Sequence, residues 1–246
     1  MPATQAKWLT PATKMGLSIA IATGLYGISF GALSIAAGLN LWQTVALSAL
    51  MFTGGSQFAF IGVISGGGAA SAAFSAASLL GIRNAVYGMQ IKQTLRPTPR
   101  WVPWMAQVTI DESTAVSLGQ SDIAEKKRGF FTAGVGVYVL WNLFTLVGAL
   151  LGERMGDPAA WGLDGAAVAA FIGLLWPRLK ATEPVLIALA AAVVTAIAVP
   201  LTAPGLPILI TAACAALYAV FTAKRAPSAT EHGDLQSVNV DEREKP

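Results

Sequence analysis

The chain has 246 residues, of which 54% are apolar and only 12% charged, and its mean hydropathy is +0.60. An ordinary soluble domain is about 25% charged, so a water-soluble globular fold is excluded. The net charge of +3 comes from basic residues in loops beside apolar runs, which reads as membrane orientation and not as a nucleic-acid surface.

Charge is distributed in blocks. Residues 15–91 carry a single charge, Arg83, and residues 129–152 and 184–223 carry none. A helix needs roughly 20 apolar residues to cross a hydrocarbon core of about 30 Å, so the blocks predict an all-α, polytopic transmembrane helix bundle. Residues 1–14 form a polar N-terminal segment, residues 15–223 the membrane domain, and residues 224–246 a charged tail of disordered composition.

In chain order, a first span is expected over 15–38, retained rather than cleaved, because no A-x-A site precedes a polar mature region. Asn40 marks a turn, and a second span follows over 42–64. Ser65-Gly66-Gly67-Gly68 separates it from a third over 69–89. The polar block 92–128 carries ten charges. Within it, Trp101, Trp104, Met105 and Val108 recur at i, i+3, i+4 and i+7, one apolar stripe on a helix that either lies in the interface or enters the membrane; because the stripe leads into Asp111, residues 101–121 are expected to enter as a helix or half-helix. A fourth span covers 130–151 and a shorter fifth 161–176, with Asp164 near its start and Pro177 at its end. Pro200, Pro204, Gly205 and Pro207 make the turn between spans at 184–200 and 208–223. The total is about seven spans plus the element at 101–121.

Counting Lys and Arg gives orientation. With seven spans and a cytoplasmic C-terminus, ten basic residues lie inside (Lys92, Arg96, Arg100, Lys126, Lys127, Arg128, Arg178, Lys180, Lys224, Arg225) and three outside (Lys7, Lys14, Arg154). Lys7 and Lys14, directly before the first span, fit poorly outside. If residues 101–121 cross, the count is nine against four with both ends inside, so charge alone does not separate seven spans from eight.

The available chemistry is narrow. The one cysteine, Cys214, and the one histidine, His232, leave no intrachain disulfide and no cluster to hold a metal; no cofactor is expected. Gly27-Ile28-Ser29-Phe30-Gly31 matches a nucleophile elbow in letters only, because that motif needs a strand-to-helix turn and a histidine partner. Small residues at four-residue spacing (Gly27 and Gly31; Gly67, Ser71 and Ser75; Gly68, Ala72 and Ala76) suit close helix packing.

Three features go further. Gly54-Gly55-Ser56-Gln57 puts two glycines, a hydroxyl and an amide in the middle of the second span, and an unwound point at such depth is tolerated only against protein or a water-filled cavity. Transporters aim half-helix N-termini at anionic groups from such breaks; a tight crossing with Gln57 bonded to a neighbouring helix is the structural alternative. Arg83, beside Asn84, either snorkels or meets an intramembrane partner, for which Asp111 and Glu112 are the candidates. Those two carboxylates are candidates for holding an ammonium and for proton coupling, while Gly54, Gly55, Ser56, Gln57, Arg83 and Asn84 are the candidate binding residues.

Gly54-Gly55-Ser56-Gln57-Phe58, Arg83-Asn84-Ala85-Val86-Tyr87-Gly88, Asp111-Glu112-Ser113 with Ala115-Val116, Trp141, and Gly162-Leu163-Asp164 together resemble the AzlC family. That family is the large subunit of bacterial branched-chain amino-acid exporters, and the resemblance extends over about residues 15–223. After Arg83, where a histidine or another polar residue is usual in the family, Asn84 then Ala85 stand here, so a proton role for a histidine at that place is excluded. The resemblance implies export of Leu, Ile, Val and Met by the proton-motive force, a small AzlD-type membrane partner of about four spans, and a place in the bacterial inner membrane. A membrane scaffold, a channel-like subunit or an exporter of another small metabolite are the rival readings. A scaffold would need neither Arg83 nor the glycine break, and an intramembrane enzyme would need a catalytic constellation.

Overall fold

The computed structural model describes residues 9–155 and 179–223, together with Ala160, Gly162, Gly165, Ala169, Ile172, Leu175 and Trp176. Residues 1–8, Asp164, most of the span expected over 161–176, and the tail from 224 lie outside the described residues. Among the described residues, every regular element is helical: α1 (Pro11–Ala36), α2 (Leu41–Leu50), α3 (Gly55–Ser65), α4 (Ala70–Leu95), α5 (Val102–Gln107), α6 (Asp111–Leu118), α7 (Ile123–Met155), α8 (Thr182–Ala198) and α9 (Leu206–Ala223). Two stretches, Pro11–Ala36 and Ile123–Arg154, are long and apolar enough to cross a membrane on their own.

α1 and α7 form the spine, and they run parallel. A methyl on Gly16 would meet the Ala133 nitrogen at 3.0 Å, one on Gly24 the Leu140 Cβ at 2.6 Å, and one on Gly27 the Trp141 carbonyl oxygen at 2.6 Å. Gly31 lies against the Thr145 carbonyl and Gly148 against that of Ile28. Where no hydrophobic effect drives helices together, small residues let backbones touch and gain dispersion contacts. The Gly27 and Gly31 pair expected from the sequence serves that close approach. Thr10 caps the start of α1 by accepting from the Thr13 N–H at 3.3 Å. Its hydroxyl also reaches Glu125 of α7 and, with Arg128, holds that carboxyl below its ordinary value, so the N-termini of α1 and α7 share one end of the bundle, here the near end.

The span expected over 42–64 is corrected to a hairpin. Asn40 and Gln43 close a capping box that starts α2, the chain breaks at 51–54, and α3 returns antiparallel. The Gln57 amide reaches back to the Leu47 and Ser48 carbonyls, and Phe60 and Ile64 of α3 share a groove with Gly38, Leu39 and Gln43 at the far end. At about 1.5 Å per residue, helices of 10 and 11 residues reach roughly half of a 30 Å core. The hairpin therefore enters from the far end and turns at mid-depth.

α4 then runs from the far end to the near end. Ala73 and Ala76 pack with Val63 of α3, Gly81 faces Ser56, and Ile91 and Leu95 pack with Met105, Val108 and Phe130. The helix expected over 101–121 is also two pieces, α5 and α6. In the stripe that predicted it, Met105 and Val108 are buried while Trp101 and Trp104 are exposed. α6 returns antiparallel to α7, with Val116 against Gly129 and Ser113 against Gly134. A second hairpin thus enters from the near end. α1 with its hairpin and α4 with its hairpin form one helix–hairpin unit repeated in opposite orientation, both long helices having 26 residues, an arrangement known from secondary transporters.

α8 and α9 pair with each other through the Thr195 and Thr211 hydroxyls at 2.8 Å. Their connecting turn lies at the far end, where Gly205 contacts Val63 and Ala72. Thr182 and Ala223 consequently point toward the near end.

Candidate functional site

Gly54 makes the first hairpin tip. Its φ of 61° and ψ of −79° define a γ-turn of the positive-φ kind, strained for residues with a Cβ, and the Gly55 N–H donates to the Thr53 carbonyl at 2.7 Å. A helix end inside a low-dielectric bundle leaves carbonyls that must find donors. Side chains supply them here. Gln57 donates to the Leu47 and Ser48 carbonyls at 3.2 and 3.1 Å, and the Ala49 carbonyl accepts from Gln107 at 2.8 Å and from the Tyr138 hydroxyl at 3.4 Å.

The second tip, residues 108–110, is held by Ser113, whose hydroxyl accepts from the Ile110 N–H at 3.0 Å and donates to the Val108 carbonyl at 2.8 Å. Asn84 of α4 donates to the Thr109 carbonyl at 3.1 Å. Arg83 joins the two tips. Its Nη1 donates to Asp111 Oδ2 at 2.9 Å and its Nη2 to the Thr53 carbonyl at 3.1 Å. The planar fork of arginine suits two acceptors at once, which a lysine ammonium cannot match in geometry. Glu112 is differently placed: it accepts from the Thr23 hydroxyl at 3.5 Å and has no cationic partner among the described residues.

Between the tips lies a cavity of about 240 Å³. One part of its wall is polar, with Thr23, Thr53, Arg83, Asp111 and Glu112. The rest is apolar, with Tyr26, Phe52, Phe58, Ile110, Val137 and Trp141, and the Gly54-Gly55 backbone lies between. Ring contacts fix this wall. Phe30 meets Phe58 edge-on at 5.6 Å and stacks with Trp141 at 6.0 Å, and Phe52 meets Tyr138 edge-on at 4.9 Å. Such pairs are worth about 0.5–1.5 kcal/mol each beyond burial. The Arg83 Nε and the Thr53 hydroxyl have no hydrogen-bond partner among the described residues, so polar capacity remains.

Of the residues singled out in the sequence, Gly54, Gly55, Arg83, Asp111 and Glu112 line the cavity. Ser56 and Gln57 are fully buried away from it, Gln57 turned to α2, and Asn84 braces the second tip. Thr23, Tyr26, Phe52, Phe58 and Val137 were not singled out as site residues. A threonine one residue before Gly24 on the packing stripe of α1 was the signal available for Thr23.

This arrangement can hold a small molecule with separated opposite charges and an apolar body. The volume lies at the small end of ligand sites, below the roughly 300–1,000 Å³ of drug-sized ones. A family model described as AzlC protein matches residues 18–155. No curated protein and no solved structure matches the chain.

Proposed function

The chain belongs to the AzlC family, a family of membrane transporters and not of enzymes, and from that premise we propose that it exports branched-chain amino acids in exchange for protons. The observation that carries the reading is the cavity itself, which brings Arg83, Asp111 and Glu112 together with aromatic and aliphatic side chains in one lining. A zwitterion in a low-dielectric bundle needs both of its charges met. The Arg83 guanidinium and the N–H groups at the start of α3 serve the carboxylate; Asp111 or Glu112 serves the ammonium; the apolar wall serves the side chain of Leu, Ile, Val or Met.

Coupling follows from Glu112. A carboxylate without a cationic partner is neutralised either by a proton or by the ammonium of a bound amino acid, and not by both. Release of the amino acid on one side and of the proton on the other then makes an antiporter. Asp111, paired with Arg83 at 2.9 Å, compensates the guanidinium whenever no substrate carboxylate is bound to it.

The near end carries Lys14, Lys92, Arg96, Arg100, Lys126, Lys127 and Arg128, whereas Arg154 lies at the far end. By the positive-inside rule the near end, with the start of α1 and the end of α9, faces the cytoplasm, in the bacterial inner membrane. A small AzlD-type subunit completes the transporter, and the exposed Leu186, Leu189, Val193 and Ile197 of α8 offer it an apolar face. Co-purification from native membranes tests the partner. The function is tested by export of labelled valine from cells against an imposed pH gradient, normalised to the amount of folded transporter in the membrane: Asp111→Asn abolishes export per folded molecule, and wild-type export by both Asp111→Asn and Glu112→Gln contradicts the reading.

A further inference from the structure

A second groove, of about 560 Å³, lies at the near end between the loop after α4 and the start of α7. Its rim carries Arg96, Arg100 and Lys127 and no acidic residue, and its floor is Leu95, Met105 and Phe131. None of the three cations has an ion-pair partner among the described residues, whereas Arg83 and Arg128 are both paired. Loop orientation alone asks only for positive charge on this side of the bilayer, in any arrangement. It does not ask for convergence around an apolar floor.

Arg96 adds a second, independent observation. It ends α4 in the left-handed region, φ 44° and ψ 57°, and is the only described non-glycine residue with a positive φ. Helix ends in that conformation use glycine by default, because a Cβ is strained there. An arginine in this left-handed position carries a backbone cost that glycine would not, and its side chain lines the groove. Beside the groove, Trp101 and Trp104 are 50% and 71% exposed, as residues of the headgroup belt are.

We propose that this groove binds the phosphate of an anionic phospholipid of the cytoplasmic leaflet, with Arg96, Arg100 and Lys127 on the headgroup and an acyl chain along Met105 and Phe131. Basic pockets between membrane helices on the cytoplasmic side take such headgroups. The groove lies at the end of the bundle, apart from the cavity between the hairpin tips, so the inference stands whatever the transporter carries.

The full-length protein, purified in neutral detergent, is titrated with phosphatidylglycerol, cardiolipin, phosphatidylcholine and inorganic phosphate at equal phosphorus, reading lipid retention by native mass spectrometry and the melting temperature. Saturable retention and a raised melting temperature are expected with the two anionic lipids only. Arg100→Gln with Lys127→Gln weakens retention roughly tenfold or more, since each juxtamembrane cation contributes a few-fold, and Lys92→Gln with Lys126→Gln, equal in charge removed, leaves it unchanged. Arg96→Gly relieves the backbone, so it raises the lipid-free melting temperature while lowering retention, a split that a purely structural arginine does not give. Equal loss in the Lys92 and Lys126 variant, or a full shift with inorganic phosphate or phosphatidylcholine, overturns the proposal.

Discussion

Arg83 Nη1 stands 2.9 Å from Asp111 Oδ2, and this pair joins the long helix of one helix–hairpin unit to the hairpin tip of the same unit, while the other guanidinium nitrogen holds the tip of the opposite hairpin through the Thr53 carbonyl at 3.1 Å. Both hairpin tips therefore depend on one side chain. A partly buried ion pair is costly to break from one side, about 3–5 kcal/mol, because the partner is left uncompensated. An incoming carboxylate that replaces Asp111 on Arg83 avoids that cost. Arg83→Ala should lower the yield of folded protein, and Arg83→Ala with Asp111→Ala should restore part of that yield, the Thr53 carbonyl still lacking its side-chain donor, without restoring transport. Membrane abundance and valine export, measured together, check this.

Gly54→Ala tests the tip. Among the described residues beyond its chain neighbours, the added methyl comes within 4 Å only of the edge of the Trp141 ring, at 4.0 Å, so the cost is backbone conformation and not crowding, about 1–3 kcal/mol. The melting temperature of the purified protein should fall and export should fall further, because the tip also lines the cavity. Gly31→Ala, where the methyl meets the Thr145 carbonyl, should instead disturb α1–α7 packing and reduce abundance first.

Gln57 is predicted to act on the fold and not on the ligand. Gln57→Leu leaves the Leu47 carbonyl to its backbone donor alone and the Ser48 carbonyl without its side-chain donor, for a loss of about 1–3 kcal/mol. In the fraction that remains folded, the apparent affinity for valine should be unchanged. A large loss of affinity at normal stability would put the Gln57 side chain at the ligand.

At the near end, the Thr10 hydroxyl and then Arg128 hold the Glu125 carboxyl below its ordinary 4.5. A carboxyl whose folded value is depressed stabilises the fold fully above its unfolded value, and that stabilisation is lost as pH falls through the folded value. Stability of the purified protein should therefore decline on acidification below about pH 4.5, and Glu125→Gln should flatten that decline. Melting temperatures of the two proteins across this range check the sign.

Much of the framework was legible in the sequence. Charge-free blocks placed the long helices, Gly54-Gly55 placed the break, and Arg83 and Asp111 stood out because so few charges surround them. The return of the chain after the break was not legible, because α2 and α3 have the same apolar composition whether they run straight through or fold back. What decides it is tertiary: Gln57 reaching the Leu47 and Ser48 carbonyls, a bond that hydropathy cannot register. Thr23 and Tyr26 escaped for a related reason, since on α1 they look like any residues beside a glycine packing stripe until Glu112 is brought to them from a segment 89 positions away.

The central claim is that the cavity between the hairpin tips holds both charges of an amino acid, and ligand binding to the purified transporter tests it most directly. Valine, valinamide, which lacks the carboxylate, and isovalerate, which lacks the ammonium, are titrated into wild type, Arg83→Lys and Glu112→Gln. Wild type should bind valine at least about tenfold, or 1.4 kcal/mol, more tightly than either analogue; Arg83→Lys should lose most of the preference over valinamide, and Glu112→Gln most of that over isovalerate. Equal affinity of wild type for all three, or full discrimination in both variants, would contradict the account.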